Sequence, residues 1–359
     1  MGPVPLFATS LETHHERLSA ALARVVPTER FILGPEVEAF EEEFARYLGV
    51  RHCVGVANGT DALVIALRAL GVGPGDDVVV PSFTFYATAE AAAAIGARPV
   101  FCDVDPETFC VTRETVQAAL TPDTKAVVPV HLFGNVAPVP ELRDLGAPVL
   151  EDAAQAAGAA LGGAKAGALG DAATFSFFPS KNLPCLGDGG AVVTDDDGVA
   201  ERARRLRFHG SEDKATFVEV GYNSRLDELQ AAALRVLLPE LDGWNAKRRA
   251  AAQAYEREGV ADYVAPPRPV GGAQHAYHLY VARHERPDEL AAALAEREVG
   301  ARGYYRVPVH RQPAMARFGD GAELPGTDEA ARTHLALPMG PLLTEEQVRE
   351  VVRGLASLP

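Results

Sequence analysis

The sequence predicts an α/β fold in which helices cover both faces of a mostly parallel sheet, followed by a smaller C-terminal α+β domain. Between residues 53 and 151, short apolar segments alternate with helical patterns, and this alternation is typical of the βαβ units that build parallel sheets. The chain has 359 residues and is 47% hydrophobic, so it can bury a large core and is long enough for two domains.

Two helices are predicted before the alternation begins. The first spans residues 11–26. The second spans residues 35–48, opens at Gly34-Pro35, and places Val37, Phe40 and Phe44 on one face.

Strands and helices then follow one another. Short apolar runs bounded by turn residues predict strands at residues 53–56, 77–81, 98–102, 126–130 and 148–151. The segments between them predict helices at residues 60–70, 86–95, 114–120 and 139–145. The crossovers between parallel strands are expected to be right-handed.

The rest of the chain changes in composition at residues 263–272, a stretch rich in proline and glycine that is typical of a linker. Before it we predict strands at residues 172–178 and 191–194 and helices at 199–207 and 226–238, the last continuing toward Tyr255. After it we predict strands at residues 277–282 and 301–305 and helices at 288–297, 328–334 and 344–355. We predict a large domain over residues 1–245 and a small domain over residues 246–359.

Charge excludes some classes of partner. The formal net charge is −15, which argues against nucleic acid or an anionic membrane surface, although a local basic pocket could still bind an anionic substrate. No apolar run approaches the length of a membrane span, and the N-terminus does not have the pattern of a signal peptide.

Cysteine usage indicates a reducing compartment. Cys53, Cys102, Cys110 and Cys185 show neither a CxxC pair nor a metal-binding spacing and lie in or beside apolar runs. We therefore expect free buried thiols, no metal site and a cytoplasmic location.

One lysine stands apart from the other four. Lys181 follows the apolar run 172–178 and precedes a Gly-Asp-Gly-Gly turn, so it is expected at the mouth of the sheet. Lys125, Lys165, Lys214 and Lys247 occur in polar or turn contexts. Desolvation would lower the pKa of a buried lysine and make its amine nucleophilic, as a Schiff-base lysine requires. A surface lysine at a strand end is the alternative.

Three further stretches place polar or aromatic groups at strand ends. Residues 56–63 (VANGTDAL) turn from a strand into a helix whose N–H groups suit a phosphate, although a plain helix cap has the same pattern. Residues 81–89 (PSFTFYATA) offer aromatic faces, or core packing. Residues 149–159 (VLEDAAQAAGA) place Asp152 and Gln155 directly after a buried strand, where Asp152 could cap the next segment or pair with a protonated ring nitrogen. A lysine, a phosphate site, a ring face and a ring-nitrogen partner are together the requirements of pyridoxal phosphate.

Seven motifs occur in order between Phe31 and Leu234: GPEVEAFEEEFARYLGV, VANGTDAL, PSFTFYATA, EDAAQAAGA, FSFFPSKNL, GDGGAVVT and GYNSRLDELQAA. The chain thereby resembles the DegT/DnrJ/EryC1/StrS family of nucleotide-sugar aminotransferases, with weaker similarity (YHLYV, PVHRQPAM, LALPMGPLLTEEQ) toward the C-terminal end. The resemblance implies a fold type I pyridoxal-phosphate-dependent transferase, similar to aspartate aminotransferase, with a seven-stranded sheet. It also implies a homodimer with active sites shared between subunits.

The resemblance assigns roles by position. It implies that the catalytic Lys181 joins the cofactor as an imine, that Asp152 pairs with the pyridine nitrogen and that Gln155 contacts the 3-hydroxyl group. Phe85 is then expected to stack on the ring, and the phosphate is expected to be held by Gly59, Thr60 and Ser176, with Asn223 reaching the phosphate of the other subunit. Tyr305 and His310 are expected to approach the sugar nucleotide.

Two departures from the family pattern occur near these residues. Pro184 and Cys185 follow KNL where the family often has glycine, and Ala157 stands where histidine is common. A branch of the family that dehydrates sugars has histidine in place of the lysine, and Lys181 disfavours that branch.

The resemblance implies transfer of an amino group from an amino acid, expected to be L-glutamate, to a keto group at C-3 or C-4 of a nucleotide-linked deoxyhexose. The nucleotide is expected to be dTDP, and the pathway amino-sugar biosynthesis. Three alternatives remain open: a ketosugar dehydratase with the same cofactor, a cyclitol or aminobenzoate relative, and a non-catalytic regulator on this fold.

Overall fold

A seven-stranded sheet forms the centre of the protein in a computed structural model that describes residues 2–9, 11–319 and 321–356. The strands in chain order are β1 (His52–Val56), β2 (Asp77–Pro81), β3 (Arg98–Cys102), β4 (Thr124–Val127), β5 (Leu150–Asp152), β6 (Ala160–Leu161), β7 (Ala164–Lys165), β8 (Ala172–Ser176), β9 (Gly190–Thr194), β10 (Ala273–Gln274), β11 (Tyr280–Arg283) and β12 (His334–Leu337).

The helices surround this sheet and form much of the C-terminal part. They are α1 (His15–Val25), α2 (Pro35–Leu48), α3 (Gly59–Ala69), α4 (Ala87–Ala94), α5 (Arg113–Ala119), α6 (Val139–Arg143), α7 (Asp197–Leu206), α8 (Glu228–Leu237), α9 (Leu241–Arg257), α10 (Pro287–Glu296), α11 (Ala316–Gly319), α12 (Pro325–Thr333) and α13 (Glu345–Ala356).

The strand order across the central sheet is β3-β2-β4-β5-β8-β9-β1, with β4 and β5 joined by the bridges Val127–Val149 and Val130–Asp152. Only β9 is antiparallel to its neighbours in this sheet, β8 and β1. The prediction of a seven-stranded, mostly parallel sheet is confirmed. Helices α3, α4 and α7 pack on one face, whereas α2 and α8 pack on the other.

The C-terminal part is built around the antiparallel pair β11-β12, which packs with α9, α10 and α13. The predicted strand at residues 301–305 is wrong. Only Arg302 pairs there, with Ala336, and Tyr305 has a φ of 55°, which an extended strand does not allow. The strand that pairs with β11 is β12, which lies in a stretch predicted as the end of a helix and a loop.

Other predicted elements also end early, among them one strand and one helix. The strand β8 stops at Ser176 rather than at Phe178. The helix predicted to continue from residue 226 toward Tyr255 is interrupted by a 3₁₀ turn at Leu238–Glu240, where Pro239 cannot donate an N–H to the helix, and α9 starts after it. The predicted domain boundary after residue 245 lies inside α9 and stays a prediction.

An aromatic cluster fixes β8 against α2. The Phe44 ring packs edge-on against Phe175 and Phe177, with centroid separations of 5.0 and 5.4 Å. Edge-to-face pairs at such distances add to the stability that burial provides. Because Phe177 lies four residues before Lys181, this cluster holds the chain that leads to the lysine.

The four cysteines are buried and free, as expected. Among the described residues, no helix is long and apolar enough to cross a membrane.

A buried carboxylate holds the end of β5, the strand that carries Asp152. Glu151 is completely buried and accepts hydrogen bonds from the backbone N–H groups of Gly167, Leu169 and Gly170 at 2.7–2.8 Å. Its Oε2 also lies 2.7 Å from Nε2 of the buried His131. Because His131 Nδ1 accepts a hydrogen bond from the Ala137 N–H, Nε2 is the nitrogen that donates to Glu151.

We expect Glu151→Gln to lower the free energy of unfolding by about 3 kcal/mol, because the substitution breaks a buried charged network and leaves donors without an acceptor. Urea unfolding at a fixed protein concentration measures this. Glu141→Gln, an exposed position on α6, is the matched control and should leave the midpoint unchanged. Equal midpoints for both variants would contradict the structural role given to Glu151.

Candidate functional site

A cavity of about 920 Å³ lies at the carboxyl ends of the parallel strands. Eight of the residues proposed from the sequence line it: Gly59, Thr60, Phe85, Asp152, Gln155, Ser176, Lys181 and Tyr305. The fold therefore brings together residues from four separate strand ends and one C-terminal segment. Ligands of α/β proteins bind at this edge of the sheet.

Lys181 lies in the turn after β8, where its N–H donates to the carbonyl of Phe178 at 2.8 Å. Solvent reaches its side chain through the cavity, but protein atoms surround the ammonium. Burial lowers the pKa of Lys181 to about 8, and the Asp152 carboxylate opposes this shift only in part. At neutral pH a much larger fraction of this amine than of an ordinary lysine is therefore uncharged and nucleophilic. Lys125, Lys214 and Lys247 are exposed.

Asp152 ends β5 and is 5% exposed. Its Oδ2 accepts a hydrogen bond from the Thr88 hydroxyl at 2.9 Å, and its Oδ1 accepts one from the Ala154 N–H at 3.2 Å. Burial raises the pKa of Asp152, although these hydrogen bonds and the charge of Lys181 act in the other direction. A protonated ring nitrogen at this position would give the carboxylate a direct counter-charge.

The N-terminus of α3 forms an anion cradle. The Asn58 side chain caps the helix by accepting the Asp61 N–H at 2.8 Å, and the N–H groups of Gly59 and Thr60 have no acceptor among the described residues. A Cβ at Gly59 would lie 2.7 Å from the Ser176 Cβ, so only glycine permits this approach of helix and strand. Free N–H groups and the helix dipole favour a phosphate here.

Gln155 and Tyr305 form one wall of the cavity. Gln155 Oε1 accepts the Phe133 N–H at 2.7 Å, which orients the amide so that Nε2 donates to the Tyr305 hydroxyl at 3.1 Å. The Tyr305 ring stacks on Phe133 with centroids 6.0 Å apart. The Tyr305 hydroxyl, having accepted from Gln155, can donate its own proton into the cavity.

Phe85 is 57% exposed, an unusual state for a large apolar ring at a sheet edge. It lines the cavity and lies 6.4 Å from the Tyr305 ring. Its face is thus available to a planar ligand.

Two predicted site residues do not line the cavity of this chain. His310 is 5% exposed, and its Nδ1 bonds at 2.6 Å to the hydroxyl of Ser82, which also accepts the His310 N–H. This position does not support the predicted contact of His310 with the sugar nucleotide. Asn223 is exposed and hydrogen-bonds to Arg225. That location is compatible with the prediction that Asn223 reaches the site of a second subunit.

Sequence analysis missed four residues that touch the cavity or hold its lining. Thr88 supports Asp152, Asn182 follows Lys181 and is buried, and His278 and Arg302 line the cavity. Thr88 and Asn182 lie inside motifs already singled out, so those motifs were the available signal. His278 lies in the YHLYV stretch that also carries the family resemblance, whereas Arg302 lies outside the quoted motifs and only tertiary structure places it here.

Pyridoxal phosphate fits this donor set. The close approach of Gly59 and Ser176 keeps the N-terminus of α3 free of side-chain bulk, and Phe85 presents a ring face. Asp152 is a buried carboxylate without an ion pair to any described residue, and Lys181 is a nucleophilic amine. Among the described residues, no group of histidines, cysteines and carboxylates could hold a metal ion.

Comparison with known proteins gives the same result. Residues 12–356 match the sequence profile of the DegT/DnrJ/EryC1/StrS aminotransferase family. A "Pleiotropic regulatory protein" of Geobacillus stearothermophilus is 46% identical over 358 residues, covering 96% of both chains. The dTDP-3-amino-3,4,6-trideoxy-alpha-D-glucose transaminase of Streptomyces venezuelae is 46% identical over 340 residues, covering 93% of this chain and 89% of that protein.

A solved structure is equally similar. The crystal structure of S. venezuelae DesV in complex with a ketimine intermediate superposes with a TM-score of 0.94 at 43% identity, covering 99% of this chain and 98% of that one. The expected fold type I architecture and the pyridoxal phosphate cofactor are confirmed. The chain belongs to the DegT/DnrJ/EryC1/StrS aminotransferase family.

Proposed function

We propose that this chain transfers the amino group of L-glutamate to a keto group of a dTDP-linked deoxyhexose during amino-sugar biosynthesis. Of the two carbons left open by the sequence, C-3 and C-4, the name of the S. venezuelae relative favours C-3. The observation that carries the proposal is the buried, nucleophilic Lys181 beside the buried Asp152 in a cavity large enough for such a substrate.

The side chains divide the work of the transfer. Bound pyridoxal phosphate supplies an aldehyde that captures amines and a ring that withdraws electrons from the donor's α-carbon. Asp152 keeps a proton on the ring nitrogen, and Gln155 and Tyr305 orient the ring's oxygen edge. Lys181, with its amine free, would act as the base that takes the proton from the donor's α-carbon, because its side chain lines the same cavity.

Arg302 supplies the positive charge that a nucleoside diphosphate requires. It lines the cavity, its guanidinium lies 5.1 Å from the Tyr304 ring centroid, and its side chain has no hydrogen-bond or ion-pair partner among the described residues. Arg306, which also lines the cavity, is occupied by Asp288 and by the carbonyl of His334. We assign the diphosphate to Arg302 because unpaired arginine is well suited to phosphate oxygens.

A homodimer with shared sites is part of the proposal. Phe217, Val218 and Val220 are 58%, 66% and 82% exposed in the segment that leads to Asn223, and a second copy of the chain would cover them. Light scattering should give twice the mass of one chain, and a monomeric mass would contradict this part. The buried free thiols support a location in the cytoplasm.

The name of the Geobacillus stearothermophilus relative, "Pleiotropic regulatory protein", favours a second candidate function for this chain, a regulator on this fold. A sugar dehydratase is the other alternative. A dehydratase product keeps no nitrogen from the donor, and a regulator shows no turnover, so product analysis separates all three functions.

We expect ¹⁵N from labelled L-glutamate to appear in the product when the enzyme is offered a panel of dTDP- and UDP-linked 3- and 4-ketohexoses, with the dTDP-3-ketohexose preferred. Lys181→Ala should abolish both turnover and the visible absorbance of bound cofactor. Lys125→Ala, an exposed lysine, is the control and should retain both. Product without ¹⁵N, or full activity in Lys181→Ala, would rule out the proposed transfer.

The pKa of Lys181 gives a pH dependence for cofactor capture. Only the neutral amine attacks the aldehyde, so the rate at which cofactor-free protein binds pyridoxal phosphate should rise about tenfold per pH unit at low pH and level off above pH about 8. Stopped-flow absorbance measures it. The control is Nα-acetyl-lysine, whose side-chain amine has a pKa of about 10.4, and its rate of reaction with pyridoxal phosphate should continue to rise beyond pH 8. A plateau only near that value would contradict the desolvated state of Lys181.

We expect Arg302→Gln to raise the KM for the nucleotide ketosugar by at least about tenfold, since a hydrogen bond to a charged group contributes about 1.5–3 kcal/mol. The half-reaction with glutamate alone, followed by cofactor absorbance, should be unchanged. Arg317→Gln is the control, because Arg317 stacks on Phe318 and does not line the cavity. If Arg302→Gln instead weakened the half-reaction with glutamate, Arg302 would be assigned to the carboxylate of the amino donor.

A further inference from the structure

Asn182, the residue after Lys181, is held by two hydrogen bonds that fix the orientation of its amide. It is 3% exposed, and its Nδ2 donates to Asn245 Oδ1 at 2.8 Å and to the Ala276 carbonyl at 3.0 Å. Asn245 in turn donates to the Ala157 carbonyl at 2.9 Å. Both hydrogens of the Asn182 amide are thus used, and its Oδ1 can only accept.

This orientation determines the tautomer of His278. The Nδ1 of His278 lies 3.3 Å from Asn182 Oδ1. Since an amide oxygen cannot donate, Nδ1 must carry the proton. In the neutral ring, Nε2 then has a free lone pair.

Nε2 is free to act in the cavity. His278 is 4% exposed and lines the same cavity as Lys181, and its Nε2 has no partner in the part of the chain that the structure describes. Burial lowers the pKa of His278 far below its ordinary value, and the charges of Lys181 and Arg248 lower it further. The ring therefore stays neutral and accepts hydrogen bonds at Nε2.

The backbone around His278 is held rigidly. The buried Arg248 on α9 donates through one nitrogen to the carbonyls of Tyr277 and His278 at 3.0 and 3.4 Å. The Ala276 N–H donates to the Gly134 carbonyl at 2.8 Å. Tyr277 has a φ of 46°, a conformation that needs such support. A segment tied down on both sides of the ring is suited to placing one nitrogen accurately.

We propose that Nε2 of His278 accepts a hydrogen bond from the Lys181 amine and holds that amine in the cavity when the donor amino acid displaces it. His278 is then a positioning residue for Lys181. The inference rests on the proposed aminotransferase function. No bond to the imidazole forms or breaks, and its proton stays on Nδ1 throughout.

Lys181 needs such an acceptor. A lysine side chain is a flexible four-carbon chain with several rotatable bonds, so a released amine could turn away from the α-carbon of the donor amino acid that it must deprotonate. Asp152, the carboxylate that affects its pKa, is engaged by Thr88 and Ala154. A neutral acceptor can hold the amine without the repulsion that an imidazolium would cause.

Other charged or titratable groups face this pair and enter its pH dependence. They are Asp152 at the end of β5, Asp188 on the loop after Lys181, Arg248 on α9, and the two arginines and two tyrosines of residues 302–306. Each is retained in the variants below, so a difference between variants reports the imidazole.

The test uses His278→Phe, His278→Gln and the matched control His275→Phe. His275 lies three residues earlier in the same segment and is also buried, with its pKa lowered to about 3 by burial, but it does not line this cavity. Its Nδ1 accepts the Tyr277 N–H at 2.8 Å.

Loss of the acceptor removes a hydrogen bond that favours the ammonium, so His278→Phe should lower the pH midpoint of pyridoxal phosphate capture by at least about half a unit. It should also slow the glutamate half-reaction by about tenfold or more, with a smaller change in the KM for glutamate. In His278→Gln the amide oxygen can accept a hydrogen bond, so this variant should restore most of the wild-type pH midpoint and most of the rate of the glutamate half-reaction. His275→Phe should keep the wild-type midpoint.

An unchanged midpoint in a folded His278→Phe, or an equal shift in His275→Phe, would overturn the inference. If the His278 variants do not fold, long-range ¹H–¹⁵N spectra of the wild type decide: a protonated Nδ1 supports the inference and a protonated Nε2 overturns it. Failure of the wild type itself to capture the cofactor would contradict the proposed function instead, so the two failures are distinguishable.

Discussion

The site depends on two groups of opposite charge, Asp152 and Lys181, that lie at the edge of one sheet and are largely surrounded by protein atoms. Burial raises the pKa of the carboxyl and lowers that of the ammonium, and in both cases it outweighs their mutual attraction. The lysine is thereby made nucleophilic, and the carboxylate is left without a paired cation. A ligand that offers an aldehyde to the amine and a protonated ring nitrogen to the carboxylate satisfies both groups at once.

The parallel sheet supplies the geometry for this pair. Parallel strands end at the same edge, so β5, β8 and the turn from β1 into α3 meet there without any contact that is local in sequence. The buried Glu151–His131 network anchors β5 one residue before Asp152. The missing side chain of Gly59 lets α3 approach Ser176. Glu151 and His131 thus hold the strand that carries Asp152 without lining the cavity themselves.

Sequence patterns predicted features that depend on neighbouring residues, such as strand bounds, and missed features that depend on tertiary contacts. Apolar periodicity located β2 and β3 at their observed bounds, and Lys181 was separated from the other lysines by the apolar run before it. Tyr305 lies in a segment whose residue types suit a strand, but its backbone adopts a positive φ that no propensity signals. His310 is next in sequence to Val309, which lines the cavity. Its ring does not line the cavity, because it hydrogen-bonds to the hydroxyl of Ser82, which lies 228 positions away in sequence.

The C-terminal part contributes side chains of a different kind from those of the sheet. The strand ends provide groups suited to the cofactor, whereas Arg302, Tyr305 and His278 come from segments tied to the β11-β12 pair and to α9. Because the Arg302 backbone pairs with Ala336 while its side chain has no partner within residues 2–9, 11–319 and 321–356, the charge at this rim can change without disturbing β12. His278, in contrast, is hydrogen-bonded through its ring to Asn182, the residue after Lys181, and through its carbonyl to Arg248. In the proposed mechanism the chemistry of the lysine is therefore coupled to α9, whereas the proposed recognition of the substrate's charge by Arg302 is not.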